Sequence, residues 1–148
     1  IMDPIGASDS WRWYGYEKSW INLDGLMVQS VSGGGHNGGG VFINSEDHAR
    51  FGLLYLNNGM WGDKSIISED WIKKSNNSEY GHMWWINSEQ GEDYLRTDWK
   101  NVPTNIYYGA GFGGNYIVVI PDENIVVVGR WLGRDKIGTF IQMILESK

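Results

Sequence analysis

Apolar and polar positions along the chain change period several times, and each change predicts an element. Residues Ile1 to Ser10 carry no period and read as loop, with Asp3-Pro4 and Gly6 as breakers. Trp11 to Trp20 is aromatic and alternates in places, as an irregular strand or an aromatic loop would. Trp20–Leu23 and Leu26–Val31 flank Asp24-Gly25, which predicts a hairpin. Ser45 reads as the N-cap of a helix whose broad apolar face is Ala49, Phe51, Leu53, Leu54 and Leu56 and which ends at Asn58-Gly59. Trp61 to Ile67 is a turn and strand around Gly62-Asp63. Ser68 caps a second helix with Glu69 and Asp70 in its first turn and Lys73 and Lys74 near its end.

The second half reads mainly as sheet. Tyr80 to Ile86 is a strand, and Asn87 to Asn105 is a long polar loop. Ile106–Phe112 adds a strand before Asn115–Ile120 and Ile125–Val128, which are joined by the turn Pro121-Asp-Glu-Asn124. Ile137, Phe140, Ile141, Ile144 and Leu145 share one face of a final helix within Arg134 to Lys148. The fold class is therefore α+β: an antiparallel sheet, a C-terminal helix packed on it, and a helical and loop part. That division puts helices and loops in 1–100 and the sheet hairpin with its helix in 101–148.

Composition narrows the function. The 148 residues carry 12 basic and 18 acidic side chains, a net charge of −6, with no basic stripe for nucleic acid or anionic lipid. No apolar run reaches the ~18 residues of a membrane span. Cysteine is absent, which excludes disulfides, a Cys nucleophile and thiolate metal sites. The 21 glycines are about twice the usual ~7%. They concentrate in Ser32–Gly40, with six Gly in nine positions around His36 and Asn37, and in Gly109-Ala-Gly-Phe-Gly-Gly-Asn115. The first is a linker or a loop that approaches a ligand. The second is a bulge or a strand edge that offers backbone N–H groups. His48 reads as a surface or packing residue and His82 as a structural residue within a strand. The nine Trp read mostly as core and sheet cover.

Direct motif searches find no G-x-S-x-G, no H-E-x-x-H, no P-loop and no Ser-x-x-Lys. Thr97-Asp-Trp-Lys100 begins with the wrong nucleophile.

Three blocks in order, however, resemble the serine hydrolases of the beta-lactamase and penicillin-binding-protein superfamily. Asp3-Pro-Ile-Gly-Ala-Ser-Asp9 resembles that family's DPLGMxDT stretch. Gly38-Gly-Gly-Val-Phe-Ile-Asn-Ser-Glu-Asp-His-Ala-Arg-Phe-Gly52 resembles its second block, which continues through Asn57–Gly62 and Ile66–Ile72. Gly109 to Val128 resembles its glycine-rich hairpin. The likeness is to the esterase-like and amide-hydrolase-like branch.

The resemblance implies a beta-lactamase-like fold and an acyl-transfer enzyme for ester, amide or lactam substrates, with neither cofactor nor metal. In that family the Ser-x-x-Lys and Tyr-x-Asn motifs precede the first block, so the expectation is a C-terminal fragment that is inactive alone. The family's Lys-Thr-Gly triplet aligns with Gly109-Ala110-Gly111, where Gly109 replaces the cation. The N–H of Phe112 is then one arm of an oxyanion hole. His36, Asn37, Trp13 and Tyr14 would contact substrate. The missing half also implies that the Ile125–Val128 edge pairs with another copy or with a separate N-terminal half. Family members occur in several compartments; periplasm or secretion is favoured over cytoplasm. The rival reading is a non-catalytic carbohydrate-binding or interaction module, carried by the aromatic content and the acidic charge.

Overall fold

The computed structural model describes residues 1–15, 19–29, 39–77, 80–87, 99 and 102–148. Among these residues, five antiparallel strands form the main sheet: β7 (Tyr80–Gly81), β8 (Trp84–Ile86), β9 (Tyr107–Gly111), β10 (Asn115–Ile120) and β11 (Ile125–Gly129). Their order is β11-β10-β9-β8-β7. The period-2 alternation splits their side chains between two cores. Tyr108, Tyr116, Val118, Ile120 and Val127 face Ile137 and Ile141 of the terminal helix α3 (Ile137–Glu146). Trp84, Tyr107, Ile117 and Val119 face Tyr55 of α1 (Ser45–Leu56) and Ile72 of α2 (Glu69–Ser75). Covering both faces explains why Tyr116 to Ile120 are all buried. The fold is α+β, with helices on both sides of an antiparallel sheet. Strands β7 and β8 come from before residue 100, so the sheet spans both halves of the chain.

Local chemistry accounts for most elements. The hairpin of β2 (Trp20–Leu23) and β3 (Leu26–Gln29) turns at Asp24 and Gly25, with φ of 51° and 88°. Both values suit the tight turn that Asp-Gly favours. Asn22 Oδ1 accepts from the Gly25 N–H at 2.7 Å and braces that turn. β10 and β11 turn through a short 3-10 segment, Pro121–Glu123, and a left-handed Asn124. Ser68 caps α2 by accepting from the Trp71 N–H at 3.2 Å. Helix α1 can lie close to the sheet because residue 52 is glycine. A Cβ there would stand 2.5 Å from Val126 Cγ1 and 3.0 Å from Ile117 Cδ1. Two further small ladders pair β1 (Arg12–Gly15) with β4 (Gly39–Phe42), and β5 (Met60–Trp61) with β6 (Lys64–Ser65).

Several expectations need correction. The α1 cap is Asn44, not Ser45: its Oδ1 accepts from the Asp47 N–H at 2.8 Å. Ser45 is the first helical residue, and its Oγ lies 3.4 Å from Arg130 Nε, which donates to it. Tyr80–Ile86 is not one strand but a hairpin. His82 and Met83 form its turn with φ of 49° and 78°, and the His82 ring sits 4.7 Å from that of Trp71. The polar loop after Asn87 carries core residues: Trp99 and Val102 are buried, and the Trp99 ring packs 4.6 Å from that of Tyr108. Of the nine Trp, only Trp84 and Trp99 are buried, whereas Trp13, Trp20, Trp71 and Trp131 are exposed. No helix among the described residues is long and apolar enough to cross a membrane.

Candidate functional site

The glycine-rich segment forms the hairpin between β9 and β10. Its register pairs Gly111 with Asn115 and leaves Phe112, Gly113 and Gly114 as a three-residue tip. Gly113 and Gly114 have φ of 78° and 80°, a region that side-chain-bearing residues enter only at a cost. The tip is braced twice. Gly114 N–H donates to Gly111 O at 3.3 Å, and Asn115 Nδ2 donates to Phe112 O at 2.8 Å. Phe112 itself is fully exposed.

The segment leaving β11 folds over this tip. Leu132 N–H donates to Gly114 O at 3.0 Å. A Cβ on Gly113 would stand 2.8 Å from Trp131 Cζ3, so the glycine is the seat of the indole ring. A Cβ on Gly114 would collide with the Leu132 main chain. Between the two segments lies a cleft of about 560 Å³, within the range of small-molecule sites. Ala110, Gly111 and Phe112 line it from one side, and Trp131, Leu132 and Arg134 from the other.

Gly109 is different. It pairs with Ile117, and a Cβ would meet Ile117 Cγ2 at 3.0 Å. A lysine in its place would push against the α1-side core. The triplet Gly109-Ala110-Gly111 therefore offers main chain rather than a cation. Trp13 and Tyr14 do not join the cleft. They stand half exposed on β1, opposite Val41 and Gly40 of β4, and the Tyr14 ring packs edge-on 5.5 Å from Phe42. Among the described residues, the cleft is lined only from positions 110–116 and 131–134. His36 and Asn37, and Thr97 and Lys100 of the false nucleophile motif, lie outside the described residues.

Two polar clusters join segments distant in the chain. Asp47 is buried and accepts from the Ser8 N–H (3.1 Å), Ser8 Oγ (2.6 Å), Asn44 Nδ2 (2.7 Å) and Arg50 Nη1 (2.8 Å). The Ser8 hydroxyl, helped by the other donors, holds its carboxyl below the usual range. Ser8 and Asp47 belong to two separate sequence blocks, and this contact joins them. Arg130 is the second staple. Its guanidinium donates to Ile43 O at 3.1 Å and Asn115 Oδ1 at 3.3 Å, tying the α1 entry to the hairpin tip. His48 lies near it, half-buried, and its Nδ1 has no partner among the described residues. Burial, and then the Arg130 charge, push the His48 pKa down to about 4. His48 is therefore a neutral packing residue at neutral pH.

One literal Tyr-x-Asn triplet occurs, Tyr55-Leu56-Asn57. It ends α1, with Tyr55 buried against Trp84 at 4.5 Å, and does not face the cleft. No three His, Asp or Glu side chains come together as a metal site among the described residues. Sequence reading missed Trp131 and Arg130, since both act through contacts distant in the chain; the left-handed φ of Trp131 leaves no local sequence signal. The chain matches no protein-family model and no curated protein.

Proposed function

We propose that this chain supplies the oxyanion-side half of a serine acyl-transfer hydrolase with a beta-lactamase-like fold, acting on ester, amide or lactam carbonyls. The observation that carries the reading is the glycine-built tip at Phe112–Gly114, which presents main chain at the mouth of a cleft of about 560 Å³. In the proposed reaction a serine from a Ser-x-x-Lys segment outside these 148 residues attacks the carbonyl. The Phe112 N–H and the nucleophile's own N–H then receive the charge that develops on oxygen. A backbone donor requires no particular side chain, so Gly109 is compatible with the role. A carbohydrate-binding module would present a row of Trp on one sheet face. The exposed Trp13, Trp20, Trp71 and Trp131 instead stand on four separate segments.

Active-site titration tests the reading. The 148-residue chain alone is expected to show no titratable turnover of nitrocefin or p-nitrophenyl esters, and to gain it when a Ser-x-x-Lys-bearing N-terminal half is supplied. Stoichiometric turnover by the chain alone would overturn the assignment, as would continued inertness in a folded, assembled complex of both halves.

A further inference from the structure

Trp131 departs from two local rules at once. Its φ of 55° lies in the left-handed region, where a bulky side chain is uncommon. Its indole is 79% exposed, whereas large aromatics are mostly buried. Neither departure serves the hydrophobic core. What the backbone shape does achieve is placement. It brings Leu132 N–H onto Gly114 O and lays the indole against the hairpin tip at Gly113, where a Cβ would stand 2.8 Å from the ring. One face of the ring is thus supported by the tip, and most of its surface remains open.

Phe112 belongs to the same tip and is 100% exposed. Both aromatics line the cleft. The other walls are largely main chain, Ala110 and Leu132. Among the described residues, the polar side chains lining it are Tyr116, itself 98% buried in the sheet core, and Arg134. A sugar subsite needs several polar side chains beside its aromatic platform. This cleft instead combines apolar ring surface with backbone.

We infer that Trp131 is a specificity-determining platform for an aromatic acyl group, stacked on the indole with the Phe112 side chain as a second wall. The inference rests on the hydrolase reading for the reaction that follows, but the platform itself is a statement about binding. The selected substrates are esters or amides of aromatic acids over their short aliphatic counterparts.

The test uses the ¹⁵N-labelled 148-residue chain without turnover. N-methylbenzamide is titrated against N-methylacetamide and cellobiose. The benzamide is expected to shift the Trp131 indole N–H and the Phe112–Gly114 amides saturably, with roughly tenfold higher affinity than the acetamide. Trp131→Gly adopts the same φ without strain, so it retains the fold while removing the ring. It is expected to lose that preference, and Trp131→Phe to retain most of it. No saturable shift, equal response to acetamide, saturation by cellobiose instead, or an unchanged preference in a folded Trp131→Gly protein would each overturn the platform. Failure of the hydrolase reading appears elsewhere, in the active-site titration. Benzamide binding at these residues without any reactive serine complex would sustain the platform and remove the reaction.

Discussion

Replacing Gly52 by alanine tests how closely α1 sits on the sheet. In an exposed helix the change would stabilise by about 1 kcal/mol, the propensity difference between the two residues. Here the new Cβ would stand 2.5 Å from Val126 Cγ1, with Ile117 Cδ1 and Cγ1 at 3.0 and 3.2 Å. Valine is stiff at χ1 and cannot swing away freely. Overpacking of this kind costs roughly 1–3 kcal/mol. The net expectation is a loss of about 1 kcal/mol, or a fall of roughly 2–4 °C in Tm for a chain of this size. Removing the obstacle should reverse the sign. In a Val126→Ala background the same Gly52→Ala change should stabilise by up to about 1 kcal/mol, a coupling of roughly 1–3 kcal/mol between the sites. Urea unfolding of the four proteins measures this, with an unchanged m-value as the condition for reading midpoints as stability. A stabilising Gly52→Ala in the wild-type background would mean that α1 is not seated at this distance, and the reasoning would fail.

Two other expectations concern pH and the sheet edge. With a folded pKa of about 4 against 6.5 for the free group, His48 contributes no slope above pH 6.5. Between pH 6.5 and 4 the unfolded chain takes up a proton that the folded chain does not, so stability falls as pH drops through that window. His48→Gln should flatten urea midpoints across it while leaving the loss below pH 3.8, where Asp47 protonates; an unchanged slope would remove His48 as its source. Among the described residues β11 pairs only with β10, and we propose that its outer edge pairs with a second copy or with the N-terminal half. Hydrogen exchange should find alternate β11 amides poorly protected in the dilute monomer and protected on assembly. Equal exchange in both states would refute edge pairing.

Much of this molecule was legible residue by residue. Asp24-Gly25 and Pro121–Asn124 announced their turns because those residues tolerate or prefer the required φ. Ser68 announced a helix because its hydroxyl reaches the Trp71 N–H within one turn. Ile137 and Ile141 announced the buried face of α3 through their spacing, although Phe140, read onto the same face, stands exposed. The choice of Asn44 over Ser45 as cap was not legible, since both are good caps. It was decided by the company each side chain keeps: Asn44 with Asp47 and Ser8, Ser45 with Arg130. The His82-Met83 turn has neither glycine nor asparagine at its two left-handed positions, and the Trp71 ring lies beside His82. Trp99 sits in a polar stretch whose local pattern says loop, and it is buried because Tyr108 is there to receive it.

The candidate site divides in the same way. The sequence by itself determined that Gly109–Gly114 would be a glycine-rich break at a strand end, a bulge or an edge offering main chain, and Gly113 and Gly114 take up left-handed angles that suit that residue type. Tertiary structure alone decided which side chains share the cleft. It left Trp13 and Tyr14 on a separate ladder and brought in Trp131, through a hydrogen bond from Leu132 to Gly114. The physical reason is range. Turns and caps are settled by groups a few bonds apart. The two staples, Ser8 to Asp47 and Arg130 to Ile43, join residues 39 and 87 positions apart, and exist only once those distant segments have packed together.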